Sequence, residues 1–243
     1  IKYDFQNASV VLKARLFKKE LPQLIQWGTI PCDEIIRQID FLLSGEKSNI
    51  PEILLNAILQ AKKSFSLHNS AMIIDMVLDN FFATYLRGVL PGNEYFSRWM
   101  AIYADWLNTK AVVRALHLEI PIKPILDVLI PGGDIESEKF IAAAEAEIEH
   151  IRTIFSSTEY GRELSDTIAT AMKTNLASLD LFFRTRLIAI YKYTQYCSYG
   201  EELIWAYALL QLEEIGALRT ILRAKAANIP MDAVKEVISI VME

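Results

Sequence analysis

Only two cysteines occur in 243 residues, Cys32 and Cys197. Thiols so far apart form neither a disulfide framework nor a zinc motif, and they read as reduced thiols of a cytosolic protein. Glycine and proline are scarce too, nine and eight, well below an average combined usage of roughly 12 per cent. A β-sandwich or barrel needs a turn signal every few residues, so that class is excluded, as are collagen-like and low-complexity chains. The longest run without Asp, Glu, Lys or Arg is Leu21 to Cys32, and it contains Pro22 and Pro31. Its 12 residues fall short of the ~17 that a spanning helix needs. Positive charge is not in excess: 25 basic against 30 acidic residues give a net charge of −5, so no general footprint for nucleic acid exists. Neither a Gly-x-x-x-x-Gly-Lys-[Ser/Thr] loop nor a Gly-x-Ser-x-Gly elbow occurs. The opening Ile-Lys-Tyr-Asp-Phe has no secretory apolar run.

What remains is a globular balance, 52 % hydrophobic and 23 % charged, with a mean hydropathy of +0.22. A large core or partner-covered surface would each supply that value. The pattern reads as helix almost throughout, and an all-α fold is expected. Helices are expected from Pro51 to about Lys63, from an Asn93 cap to about Leu118, and from a Ser137 cap through Phe155. Two more are expected from Gly161 to Tyr193 and from Gly200 to about Ala227. Pro121 and Pro230 suit first helical turns. Ile130-Pro131-Gly132-Gly133-Asp134 reads as a turn.

The informative feature is internal repetition. Asp79-Asn80-Phe81-Phe82-Ala83-Thr84-Tyr85-Leu86 matches Asp180-Leu181-Phe182-Phe183-Arg184-Thr185-Arg186-Leu187 at five of eight positions. A second block places Asp105, Asn108, Arg114 and Ala115 before Ile120-Pro121, and Glu214, Ala217, Arg223 and Ala224 before Ile229-Pro230. A third copy, Asp4, Asn7, Lys13 and Ala14, precedes Ile30-Pro31 after a longer insertion. Three related helical units are expected: 1–45 (incomplete, without an Asp-x-Phe-Phe half), 46–135 and 136–243. At about 100° per residue, Asp105, Asn108 and Ala115 share one helix face, and Glu214, Ala217 and Ala224 repeat it. Asp4, Asn7, Asp105, Asn108, Ala115, Glu214 and Ala224 are therefore structural candidates, with the small alanines admitting a neighbouring helix and the buried polar groups requiring partners. On the opposite face Lys110 and Arg114, and equivalently Arg219 and Arg223, are four apart. Each pair calls for an acidic surface, on a neighbouring helix or on a binding partner.

Catalytic chemistry does not assemble. Glu147 and His150 have Glu-x-x-His spacing, but a di-iron bundle needs two such pairs, and neither His68 nor His117 supplies the second. Glu145, Glu147, Glu149 and His150 read instead as a solvated face. A helical metal protein using them, and a helical scaffold of some other complex, stand as alternatives.

Asp105-Trp106-Leu107-Asn108-Thr109-Lys110-Ala111-Val112-Val113-Arg114-Ala115, then Leu129-Ile130-Pro131-Gly132-Gly133, resembles the middle of the C-type subunit of V/A-type ATPases, whose eukaryotic relative is the d-type subunit. Glu213-Glu214-Ile215-Gly216-Ala217-Leu218-Arg219-Thr220-Ile221-Leu222-Arg223-Ala224-Lys225 with Ile229-Pro230-Met231-Asp232 is similar to its C-terminal motif, and Tyr3-Asp4-Phe5-Gln6-Asn7 through Lys13-Ala14 to its first unit. Family members are longer, with a further helical segment ahead of the equivalent of Ile1, and often carry Asn where Ala217 stands. The resemblance implies a funnel of three helical domains without catalytic, cofactor or metal residues. It implies a monomer within a hetero-oligomeric rotary machine, peripheral on the cytoplasmic face of the membrane. Such a protein receives the D and F subunits of the central stalk, sits on the proteolipid ring, and carries torque for proton or sodium transport or ATP synthesis.

Overall fold

The structure is a computed structural model that describes residues 1–89, 91–146, 148–174, 176–194, 196–230 and 234, with the backbone alone at 148 and 149. The described residues form helices and no strand: α1 (Lys2–Leu16), α2 (Cys32–Ser44), α3 (Glu52–His68), α4 (Ala71–Arg87), α5 (Glu94–His117), α6 (Lys123–Leu126), α7 (Ser137–Glu145), α8 (Ile148–Ser156), α9 (Gly161–Lys173), α10 (Ala177–Thr194) and α11 (Glu201–Ala226). The all-α expectation holds.

Packing divides the chain into two compact units. The first comprises Ile1–Val89 and Arg114–Pro131. Its core is built from one apolar face of each of four helices: Phe5, Ala8 and Leu12 on α1, Ile35 and Ile39 on α2, Leu54 and Ile58 on α3, and Ile74, Leu78 and Phe82 on α4. The α3–α4 hairpin turns at Asn69, whose left-handed φ of 48° ends α3. Polar contacts on α1 fix its seating. The Arg15 guanidinium spans Asp40 at 2.7 and 3.0 Å, and Lys13 reaches Asp75 at 2.7 Å.

The second unit comprises Leu90–Val113 and Gly132–Glu243. Asn93 caps α5 as expected, its Oδ1 accepting from the Phe96 N–H at 2.9 Å. Trp99 is buried against Phe96, Tyr103 and Trp205, and its indole N–H donates to the Tyr191 hydroxyl at 2.6 Å.

Two helices expected as single pieces are broken. The 137–155 segment divides because Ala146 is extended (φ −91°, ψ 151°). On an unbroken helix Phe140 and Phe155 would stand about 22 Å apart; with the chain turned, their rings lie 5.8 Å apart, both buried. Residues 161–193 divide likewise into α9 and α10. A straight helix would separate Glu163 from Arg186 by about 35 Å, yet they form an ion pair at 2.7 Å. In both places hydrophobic burial overrides local helix propensity. Smaller differences are also present. α3 continues to His68, and Ser137 is the first residue of α7, behind an N-cap at Glu136, so it makes no capping bond. Pro121 lies ahead of α6, whose first turn holds Pro124. The helix expected after Pro230 falls outside the described residues except at Val234.

The three helices carrying the repeated block end identically. Lys18, Glu119 and Asn228 each adopt φ 53°. The next N–H reaches back five residues: Lys19 to the Ala14 carbonyl, Ile120 to Ala115, and Ile229 to Ala224, each at 2.9 Å. The N–H groups of Lys18, Glu119 and Asn228 reach back three residues to Arg15, Leu116 and Lys225. This is a Schellman end, made three times without glycine.

Candidate interaction surface

Asp4 on α1 and Asp105 on α5 are fully buried carboxylates, and each grips a loop of its own unit. Asp4 accepts from the Thr29 hydroxyl at 2.5 Å and the Ile30 N–H at 3.1 Å. Asp105 accepts from the N–H groups of Asp134 at 2.9 Å and Ile135 at 3.1 Å, and from the Tyr160 hydroxyl at 2.7 Å. A glycine precedes the gripped residues in both loops, and a Cβ on Gly28 or Gly133 would collide with the carboxylate. One turn along α1, Asn7 adds a two-way bond to Ile25: Nδ2 donates to its carbonyl at 2.8 Å and Oδ1 accepts from its N–H at 2.9 Å. Asn108, the equivalent on α5, is buried as well. Burial pushes the Asp105 carboxyl up to about 6 against the pull of its three donors. Tyr160 is raised by the same burial and by the carboxylate beside it.

The loop residues Gly28, Thr29, Gly133 and Tyr160 were not among the sequence candidates. A signal for the loops existed: Ile25-x-x-Gly28-x-Ile30 and Ile130-x-x-Gly133-x-Ile135 share their spacing. Reading Ile30-Pro31 as the counterpart of Ile120-Pro121 is thereby corrected, because Ile30 does at Asp4 what Ile135 does at Asp105, whereas Ile120 completes a helix end.

The third copy differs. Glu214 is exposed. Ala217 and Ala224 are buried with Ile221 and Val234 against them, and Ala115 is fully buried on α5. Of the cations, Lys110 meets an acidic neighbour inside its own unit. Its ammonium lies 2.6 and 2.8 Å from the two oxygens of Asp180 on α10, which also accepts from the Trp106 indole at 2.8 Å. Arg114, Arg219 and Arg223 have exposed side chains. Glu145 and His150 are exposed, Glu147 lies outside the described residues, and the described residues contain no group of three or more His, Cys, Asp or Glu placed to hold a metal.

The repeated clasp, the repeated helix end and the all-α architecture coincide with a family model described as ATP synthase (C/AC39) subunit, which matches residues 1–237. The chain belongs to the ATP synthase (C/AC39) subunit family. Comparison with curated proteins and with solved structures gave no match. Membership makes this C/AC39 chain a component of a V/A-type ATPase, acting within a complex that couples ATP to ion transport. Among its described residues no helix is long and apolar enough to cross a membrane.

Proposed function

We propose that this C/AC39 chain is a non-catalytic rotor part, seated on the cytoplasmic face of the membrane. It joins the D and F subunits of the central stalk to the proteolipid ring and transmits torque between the ATP-hydrolysing head and ion translocation. The observation that carries this reading is the family match over nearly the whole chain. Three copies of one helix, α1, α5 and α11, with identical ends support repeated domains. Dense side-chain fixation also suits a torque-bearing part: the Asp4 and Asp105 clasps and the Arg184–Glu213 pair, 2.6 Å long and largely buried, tie helices to loops and to one another.

Calorimetric titration of the chain with a D–F pair is expected to show saturable 1:1 binding, with no ATP hydrolysis by the chain alone. A folded chain that binds neither the D–F pair nor the isolated ring overturns the rotor reading. The exposed cations Arg219 and Arg223 are proposed to contribute to these contacts, as is Arg114. The reversal Arg223→Glu is expected to weaken stalk or ring binding while leaving the melting temperature of the chain nearly unchanged.

A further inference from the structure

One end of the first unit gathers lysines that its fold does not use. Three contacts bring the C-terminal ends of α1, α2 and α3 together: Arg15 with Asp40, the Phe17 and Phe65 rings 5.1 Å apart, and Lys62 donating to the Leu42 carbonyl at 3.1 Å. The Lys13–Asp75 pair sets the start of α4 beside them. Lys18 and Lys19 lie just past α1, Lys47 just past α2, and Lys62 and Lys63 in the second half of α3. With Asp40 and Asp75 already paired, the acids left at this end are Glu20 and Glu46. Basic residues are ordinary at helix C-termini, where they meet free carbonyls. Lys62 does this, donating to the carbonyls of Leu42 and Leu43 at the end of α2. Lys18, Lys19, Lys47 and Lys63 do not. All four are exposed, and their side chains make no hydrogen bond or ion pair among the described residues. On α3, Leu59, Lys63 and Leu67 are four apart and share one stripe; the two leucines are 43 and 70 % exposed.

The make-up of the patch selects its occupant. A protein carboxylate held in one register is matched by arginine, whose planar fork pairs with it at two points. This end offers lysine alone, Arg15 being committed to Asp40. Lysines are flexible, strongly hydrated point charges, and here they are spread over three elements. Such an array suits a delocalised negative surface that demands no register, and an exposed leucine among the lysines suits the acyl boundary beneath lipid headgroups. We propose that this end of the first unit is a docking surface for an anionic phospholipid membrane. Lys18, Lys19, Lys47 and Lys63 meet headgroup phosphates, and Leu67 enters beneath them. The stalk-to-ring reading involves protein contacts alone, and this inference stands without it.

The test is cosedimentation of the full chain with vesicles of phosphatidylglycerol and phosphatidylcholine in equal parts, with phosphatidylcholine vesicles as the control. Binding to the anionic vesicles alone is expected, although the chain as a whole carries a net charge of −5, and added salt should weaken it. Lys19→Gln, Lys47→Gln and Lys63→Gln together remove charges that hold nothing in the fold, so that variant should melt as before. At about fivefold per lysine near an anionic surface, its affinity for the vesicles should fall at least roughly tenfold. Leu67→Gln should weaken binding several-fold, again without a change in melting temperature. Absence of binding to the anionic vesicles, equal binding to phosphatidylcholine alone, or indifference to either variant overturns the proposal. So does a chain that ignores the vesicles but is captured by immobilised polyglutamate through the same lysines, which would make an acidic polypeptide the occupant. Titration with the D–F pair is a separate readout, so failure here and failure of the rotor reading are distinguishable.

Discussion

Replacing Asp105 by Ala removes the acceptor of two backbone N–H groups and one phenol at a site with no solvent exposure. Each orphaned donor costs about 1–3 kcal/mol where water cannot reach it. Tyr160 is able to turn its hydroxyl toward the cavity left behind, so the two amides set the floor. The expected loss at mildly acidic pH is about 3–5 kcal/mol, a large part of the stability of a domain. Burial holds the carboxyl near 6 in the folded chain, against an ordinary value of 3.8. The folded state therefore keeps a proton that the unfolded state gives up, and this contribution, full below about pH 4, is lost as pH rises through about 6. A rise of that size corresponds to about 3 kcal/mol. The stability gap between the parent chain and Asp105→Ala should thus shrink by that order between pH 4 and pH 8. Urea unfolding followed by tryptophan fluorescence reads the correct unit, since Trp99, Trp106 and Trp205 all belong to it. A gap that widens with pH would show the three donors outweighing burial. A loss below about 1 kcal/mol at pH 5 would refute the clasp itself.

Gly133→Ala should cost about 2–4 kcal/mol in the same assay, because the added methyl meets a carboxylate that has nowhere to move. Gly92→Ala, at φ 83° in open space, should cost only about 1 kcal/mol. Glu119→Gly should stabilise the chain by up to about 1 kcal/mol by relieving a left-handed residue at the end of α5, seen as a higher melting temperature. Trp99→Phe leaves the Tyr191 hydroxyl without its donor in the aromatic core and should lose about 1–3 kcal/mol, read from the urea midpoint.

The helical class was legible in the sequence because glycine and proline are scarce and strict alternation of apolar and polar residues over a strand's length is hard to find. The Asp/Asn face of α1 and α5 was legible from the internal repeat, though not its third copy, where Glu214 is exposed; the need of Lys110 for an acid is met by Asp180 from the other repeated block. The breaks inside 137–155 and 161–193 were not legible. Ala142-Ala143-Ala144-Glu145-Ala146 is as good a helix former as any stretch here, and the turn is enforced by a contact between Phe140 and Phe155 that no local window contains. The loops gripped by Asp4 and Asp105 were hidden differently. Their decisive residue is a glycine, whose contribution is the absence of a side chain, and the aspartate that needs it lies more than twenty positions away.

The two clasps also differ in tether. From Asp4 to Gly28 is 24 residues, and from Asp105 to Gly133 is 28, the longer connector holding the single-turn α6. The grip is the same because it depends on the last few residues of the loop and not on the route taken to reach them. Connector length is therefore a free variable, bounded below by the Schellman end and above by an entropy that rises by only about 0.6 kcal/mol for each doubling. Descendants of one duplicated module can gain residues beside the exposed Glu20, Pro22 and Gln23 without disturbing the helices on either side, whereas the longer connector is pinned by the buried Ile125 and by Asn80, which donates to the Leu129 carbonyl. The exposed stretch at Glu20, Pro22 and Gln23 is the natural place to insert a reporter or an affinity tag.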